Sequence, residues 1–137
     1  MAKFTITGLD DVQEALLRQE AIAVAAVPEM LEAGGEVMKG AFQAETSKLN
    51  STGRSTGALT ASIKVSAVKE RNGGKYIEIA PTGKDRHGVR NAEKGFVLNY
   101  GRSNMPARPW FTTVNESAAG NAISAMHRVW EGKQNER

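Results

Sequence analysis

The spacing of apolar and polar positions divides the chain into a helical first third, a strand-rich middle and a helical end. Lys3 to Thr7 alternates, with Phe4 and Ile6 on one side, and predicts a short strand or extended arm. Gly8 turns the chain. Asp10 offers an N-cap, and Gln13 stands three residues on, as a capping box requires. Val12, Ala15, Leu16 and Gln19 share one helical face, which predicts a first helix from about Asp10 to Ala23. Its end is open, because the apolar run Ala21 to Val27 can extend it. Pro28 then breaks or kinks the pattern, and suits the first position of a second helix. There Met30, Leu31, Gly34, Val37, Met38, Ala41, Phe42 and Glu45 recur at helical spacing. Gly34-Gly35 either weakens that helix, by about 1 kcal/mol per glycine relative to alanine, or lets another helix approach closely.

From Thr46 to Gly57 the residues are small and polar, which predicts a mobile loop. Leu59, Ile63, Val65 and Val68 mark a strand, Asn72-Gly73-Gly74 a tight turn, and Tyr76, Ile77 and Ile79 a return strand ended by Pro81. The expectation is a β-hairpin of about Ala61–Arg71 with Lys75–Ala80. Thr82 to Lys94 reads as a second exposed, mobile loop, and Phe96 to Tyr100 as a further strand. The last helix is expected from about Trp110 to Trp130. Phe111, Val114, Ala118, Ala122, Met126 and Val129 form its buried face, and Asn115, Glu116, Asn121 and Arg128 face water. Gly132 ends it before a frayed tail, Lys133 to Arg137. The fold class is therefore α+β: N-terminal helices, an antiparallel sheet of about three to four strands, and a C-terminal helix packed on the sheet. A chain of 137 residues is most simply one domain.

Composition adds two constraints. There is no cysteine, which removes disulfides and thiolate metal sites. No apolar run approaches the roughly 18 residues that span a bilayer, and the N-terminus lacks a signal-peptide pattern, so synthesis in the cytoplasm and no membrane partner are expected. The net charge of +3 is unevenly spread. Residues 1–53 carry 4 basic and 8 acidic side chains, residues 54–108 carry 11 and 4, and residues 109–137 carry 3 of each. The middle is where nucleic acid or an acidic partner would be drawn, unless it is simply a solvated sheet face guarded by lysines.

Candidate chemistry is thin. Gly53-Arg54-Ser55-Thr56-Gly57 matches the nucleophile-elbow string, but a polar loop stands where that serine needs a buried strand. His87 and His127 have no ligand partner at metal-site spacing, and His127 reads as a partly buried helix residue. No phosphate-cradling loop precedes a helix. No cofactor, metal or catalytic residue is expected. Lys64, Lys69, Arg71, Lys75, Lys84, Arg86, Arg90 and Lys94 could meet phosphates, but no DNA-reading motif appears and Tyr76 alone offers a stacking ring there.

The most informative stretch is GFVLNYGRSNMPARPWF, Gly95 to Phe111. Gly101 can take a positive φ. Pro106 and Pro109 hold the chain extended before the helix, and Trp110 and Phe111 plug that helix into a core. The apolar run, Tyr100-Gly101, Ser103 and Met105-Pro106-Ala107-Arg108-Pro109-Trp110 resemble a signature of the tail-completion, or head–tail joining, proteins of long-tailed double-stranded DNA bacteriophages, the gene-product-ten-like family. Thr56-Gly57-Ala58-Leu59-Thr60-Ala61-Ser62-Ile63 is similar to that family's Thr-Gly-x-Leu-x-x-Ser-Ile segment, in the expected order. Arg54 and Ser55 stand where many members have a proline and an acidic residue.

The resemblance implies a structural virion protein of the phage, or prophage, neck or head-proximal tail end, and not an enzyme. It implies a homo-oligomeric ring, sixfold to match the tail tube, other neck and tail proteins as partners, and non-specific contact with genomic DNA passing the lumen. The candidate assembly residues are Arg86, Arg90, Tyr100, Arg102, Met105, Pro106, Arg108 and Trp110. Thr46–Gly57 and Thr82–Lys94 are the candidate docking loops. A small basic nucleic-acid-binding protein is the alternative, and a hydrolase using Ser55 the third possibility.

Overall fold

The computed structural model describes residues 9–49 and 57–135. The expected strand at Lys3–Thr7 lies outside the described residues. The fold is α+β, but the first third is one helix and not two. Helix α1 (Leu9–Leu49) runs 41 residues without a break at Pro28, about 60 Å at 1.5 Å per residue. Proline costs the hydrogen bond to the carbonyl four residues back and crowds it, about 3 kcal/mol in a helix interior. Packing along the helix offsets that cost. Helix α4 (Trp110–Asn135) lies antiparallel against α1, with Phe42 meeting Trp110 and Gly34 facing Met126. Lys133 pairs with Glu29 at 3.0 Å.

Gly34 and Gly35 serve close approach. A Cβ at Gly34 would lie 2.9 Å from Met126, and one at Gly35 2.6 Å from Ile77 Cδ1. The first admits α4 and the second admits the hairpin, on adjoining faces of one helix. The helix also takes in the start of the expected loop. Thr46 is 1% exposed, and its hydroxyl donates to the Phe42 carbonyl. Asn50 to Thr56, the remainder of that loop before Gly57, and with it Ser55, lie outside the described residues.

From Gly57, the Gly-Ala-Leu-Thr-Ala-Ser-Ile segment does not begin as a strand. Gly57 sits at φ 76°, and α2 (Ala58–Ser62) makes one helical turn before β1 (Ile63–Val65). Leu59 and Ser62 face inward, and the Thr60 hydroxyl donates to Thr46 Oγ1 at 2.9 Å. The turn thereby ties the hairpin to α1. Strands β2 (Lys69–Arg71) and β3 (Gly74–Tyr76) close on Asn72 and Gly73, both with positive φ, as a type I′ turn requires. β4 (Ile79–Pro81) returns beside β1.

The hairpin is broken into two antiparallel pairs, β1–β4 and β2–β3. Ile63 pairs with Pro81, but Lys69 pairs with Tyr76, so the register moves by one residue between them. Ser66 to Val68 face only Ile77 and Glu78, which is a β-bulge. Ser66 spans it: its N–H donates to the Glu78 carbonyl, and its hydroxyl accepts from the Glu78 N–H.

Phe96 to Tyr100 is not a strand. It is the end of α3 (Asn91–Tyr100). The closing helix also runs past Gly132 to Asn135 rather than fraying at Lys133. Its first turns meet the sheet, while the rest follows α1. Trp110, Val114 and Ala118 join Phe42 and Ile63 in one core, edged by Ile79 and Leu98. Ala122 is buried as well, Met126 and Val129 are half-buried, and Phe111 is partly exposed. His127 is exposed and pairs with Glu131 at 3.0 Å, not partly buried as its helical position suggested.

Candidate assembly surface

Helix α3 is amphipathic the wrong way round. Its buried residues are Asn91, Gly95 and Asn99, at i, i+4 and i+8, while Phe96 and Tyr100 point outward. Each inward residue has a structural task. The Asn99 side-chain oxygen accepts from the N–H groups of Phe111 and Thr112, at 3.1 and 3.2 Å. It caps the first turn of α4 from another helix, where free N–H groups await a partner. Gly95 makes room for Trp110: a Cβ there would lie 2.9 Å from the indole ring, and the Gly95 carbonyl accepts from Trp110 Nε1 at 2.9 Å. The Asn91 amide donates to the Thr82 carbonyl at 2.8 Å, and its Oδ1 meets no donor among the described residues.

The turn between α3 and α4 is equally fixed. Gly101 has φ 75° and ψ −177°, a conformation essentially confined to glycine. A Cβ at that position would lie 2.7 Å from the Ala107 nitrogen. Arg102 and Met105 exchange two backbone hydrogen bonds of 2.9 Å around Ser103-Asn104. The Arg108 N–H then donates to the Leu98 carbonyl at 2.6 Å. Pro106 and Pro109 lie in this extended return, where their missing N–H groups cost nothing.

This corner sorts the expected site residues. Trp110 is 4% exposed and belongs to the core, edge-on to Phe42 at 5.7 Å. Tyr100, Arg102, Pro106 and Arg108 are exposed and Met105 is half-buried. Neither Arg102 nor Arg108 forms an ion pair with a carboxylate among the described residues. Arg86 and Arg90 are exposed too. Arg86 Nε donates to His87 at 3.3 Å, and Arg90 stands 3.9 Å from Glu93.

Arg86 and Arg90 stand on a loop with an internal frame. The Asp85 carboxylate pairs with Lys94 and accepts from the N–H groups of His87 and Val89. The Lys94 bond, then the Val89 bond, lower its pKa from 3.8 to about 2 against the opposing cost of desolvation. Lys84 and Arg90 bridge across the loop base, and Asn91 to Lys94 already belong to α3.

Around the outer face of α3 these features make a surface. Phe96 and Tyr100 are each 65% exposed, their rings 4.8 Å apart. With Pro81, Ala92 and the edge of Phe111 they line an apolar groove of about 220 Å³. That is below the roughly 300–1,000 Å³ usual for small-molecule pockets. On the other side of α3, Val89, Val97, Met105 and Arg102 line a shallow groove open to solvent. No group of three His, Cys, Asp or Glu residues that could hold a metal converges among the described residues, and Asp85 is held by Lys94. The aromatic groove can bind apolar side chains, and Lys94 and Arg102 stand on the other side of α3.

Asn99 was the residue least visible in the sequence, where it reads as a strand position next to Tyr100. The available signal was the four-residue spacing of Asn91, Gly95 and Asn99 ahead of a helix start at Trp110.

The chain matches the model of the HK97-gp10-like family over residues 10–101, about two-thirds of its length; that family is described as "Bacteriophage HK97-gp10, putative tail-component". No curated protein and no solved structure matches it significantly. The match takes in the Thr56–Ile63 segment and all of α3, and stops where the turn to α4 begins. The chain belongs to the HK97-gp10-like family of phage tail components.

Proposed function

We propose that this member of the tail-component family completes the phage tail and joins it to the DNA-filled head, as a ring of identical subunits in the neck. The observation that carries the reading is the α3–α4 corner. Its interior is fixed by Asn99, Gly95, Gly101 and Trp110, while its exterior offers aromatic rings and two arginines, Arg102 and Arg108, that meet no carboxylate among the described residues. A surface so rigid and so apolar outside suits a protein contact, where preorganised aromatic and arginine anchors supply most of the affinity. Arg86, Arg90, Tyr100, Arg102, Met105, Pro106 and Arg108 are its candidate contacts, with Trp110 as the support beneath. The test is deletion of the gene in its parent phage or inducible prophage, with negative-stain microscopy of the lysate. Filled heads beside separate tails are expected. Overlong tails would move the role to tail-length termination, and normal infectious particles would overturn it.

A second reading, non-specific DNA contact, draws on the basic excess of residues 54–108. The one ring in the hairpin suited to stacking, Tyr76, is half-buried with Arg71 5.7 Å from its centroid. Lys69 is paired with Glu78. Phosphate contact alone would therefore have to act, and it predicts affinity that falls steeply with salt. Binding weaker than about 10⁻⁴ M at physiological salt would remove this reading.

A further inference from the structure

The assembly reading leaves open which surfaces of neighbouring copies meet. Two exposed apolar features among the described residues lie far apart along the molecule. One is the aromatic groove beside α3. The other is on the first half of α1, where Val12, Leu16, Leu17 and Val24 are all more than half exposed. Leu17 and Val24, seven residues apart, lie on one stripe, and Val12 and Leu16, four apart, on the adjoining one. Helix α4 does not cover them: it ends at Asn135, with Lys133 paired to Glu29 and Gln134 bonded to Gln19.

We propose that this ridge of one copy docks in the aromatic groove of the next copy, as a head-to-tail contact. The proposal rests on the reading that the subunits assemble with one another. Charge supports the pairing. Residues 9–29 carry 5 acidic side chains and 1 basic, whereas residues 82–108, which form α3 and the segments on either side of it, carry 2 acidic and 6 basic. Ridge against ridge would set like charges together, and so would groove against groove. Geometry excludes closure within one molecule. Leu16 is 26 residues along α1 from Phe42, which stacks on Phe111 at the groove's edge. That is about 40 Å of helix. A contact joining two different surfaces propagates until a rotation closes it, so it yields rings or filaments rather than a twofold dimer. The groove is small enough to take branched aliphatic side chains and too small for most ligands.

The test uses the full chain. Leu16→Glu/Leu17→Glu blocks the ridge, and Phe96→Glu blocks the groove. These positions are exposed, and circular dichroism checks that each variant folds. In sedimentation at up to about 0.5 mM, millimolar-range contacts being visible there, the unaltered chain should grow beyond a dimer with concentration. Each variant alone should associate at least tenfold more weakly. Their equimolar mixture should stop at a dimer, because one intact ridge then meets one intact groove. Since the chain has no cysteine, Leu16→Cys and Tyr100→Cys proteins mixed under oxidation should cross-link to each other more than either does to itself. A monomeric chain with no such cross-link overturns the proposal, as does unimpaired assembly of either blocked variant. A mixture that stays monomeric does so too. Loss of head–tail joining in the deletion phage together with any of these results would reject this interface and leave the neck reading standing.

Discussion

The α3–α4 corner and the first half of α1 expose similar apolar side chains, yet they are held in opposite ways. In the corner each outward ring stands on an inward brace. Phe96 and Tyr100 sit on a helix whose buried face is Asn91, Gly95 and Asn99, and whose following turn has a conformation that glycine alone takes freely. In α1 before Pro28, Leu16, Leu17 and Val24 are exposed on a helix whose neighbour α4 has nearly run out. Rigid support lets a surface bind with little loss of conformational freedom. A helix held mainly by its own hydrogen bonds loses more on docking, and can adjust to its partner. The two surfaces suit unequal roles: a preformed socket and an adaptable ridge.

Trp110→Ala attacks the comparison hardest. It removes a ring buried against Phe42, empties the space that Gly95 preserves, and leaves the Gly95 carbonyl without its donor. Losing a buried aromatic of this kind costs about 3–5 kcal/mol. Urea unfolding should register that loss. A change below about 1 kcal/mol would mean that the corner is not braced as described.

Gly101→Ala acts through the backbone alone. The residue's φ of 75° is strained for alanine, and the added methyl would meet the Ala107 nitrogen. About 2–3 kcal/mol of destabilisation is expected, from strain plus overlap. The same measurement decides it. An effect comparable with a surface substitution would show that the turn relaxes easily and that the socket is not rigid.

A gentler break is available at the loop that carries Arg86 and Arg90. The Asp85 carboxyl is lowered to about 2, chiefly by Lys94. Its pKa is lower folded than unfolded, so its contribution is fully present above the unfolded value near 3.8 and is lost as pH falls through 2. Asp85→Asn should therefore lower the melting temperature at pH 7. The gap from the unaltered protein should shrink below pH 4 and close near pH 2. A gap independent of pH would mean that the carboxylate charge does not frame the loop.

How far the sequence revealed these regions follows from what each uses. The buried face of α4 was readable because Val114, Ala118 and Ala122 are apolar at helical spacing. The Asn72-Gly73 turn was readable because its backbone demands those residues. Helix α3 was misread as a strand for the opposite reason. Its inward face is two asparagines and a glycine, so the apolar residues Phe96, Val97 and Leu98 gave a run and not a helical stripe. Pro28 has the local propensity of a helix start, but packing against α4 prevails over it. Of the expected site, the exposure of Tyr100, Arg102, Pro106 and Arg108 agrees with a surface motif, while Trp110 proves to be core. The support at Asn99 and Gly95 could not be placed from the motif, because cross-helix capping and close approach to Trp110 exist only once α3 and α4 have met.

The smallest expected effect tests the other side of the comparison. Leu17→Ala removes an exposed side chain from α1 and should change stability by no more than about 0.5 kcal/mol. Hydrogen exchange adds what stability cannot show. Pro28 has no N–H to complete the ladder there, and residues 12–20 are exposed throughout, so amides before Pro28 should open locally and exchange faster than those near Phe42 and Thr46. Equal protection along the whole helix would make α1 one cooperative rod, and the ridge would then be as preformed as the socket. If the contact between copies forms as proposed, assembly should slow exchange before Pro28 and leave the already braced Phe96–Phe111 corner nearly unchanged. That asymmetry would separate an ordering ridge from a rigid socket in one experiment.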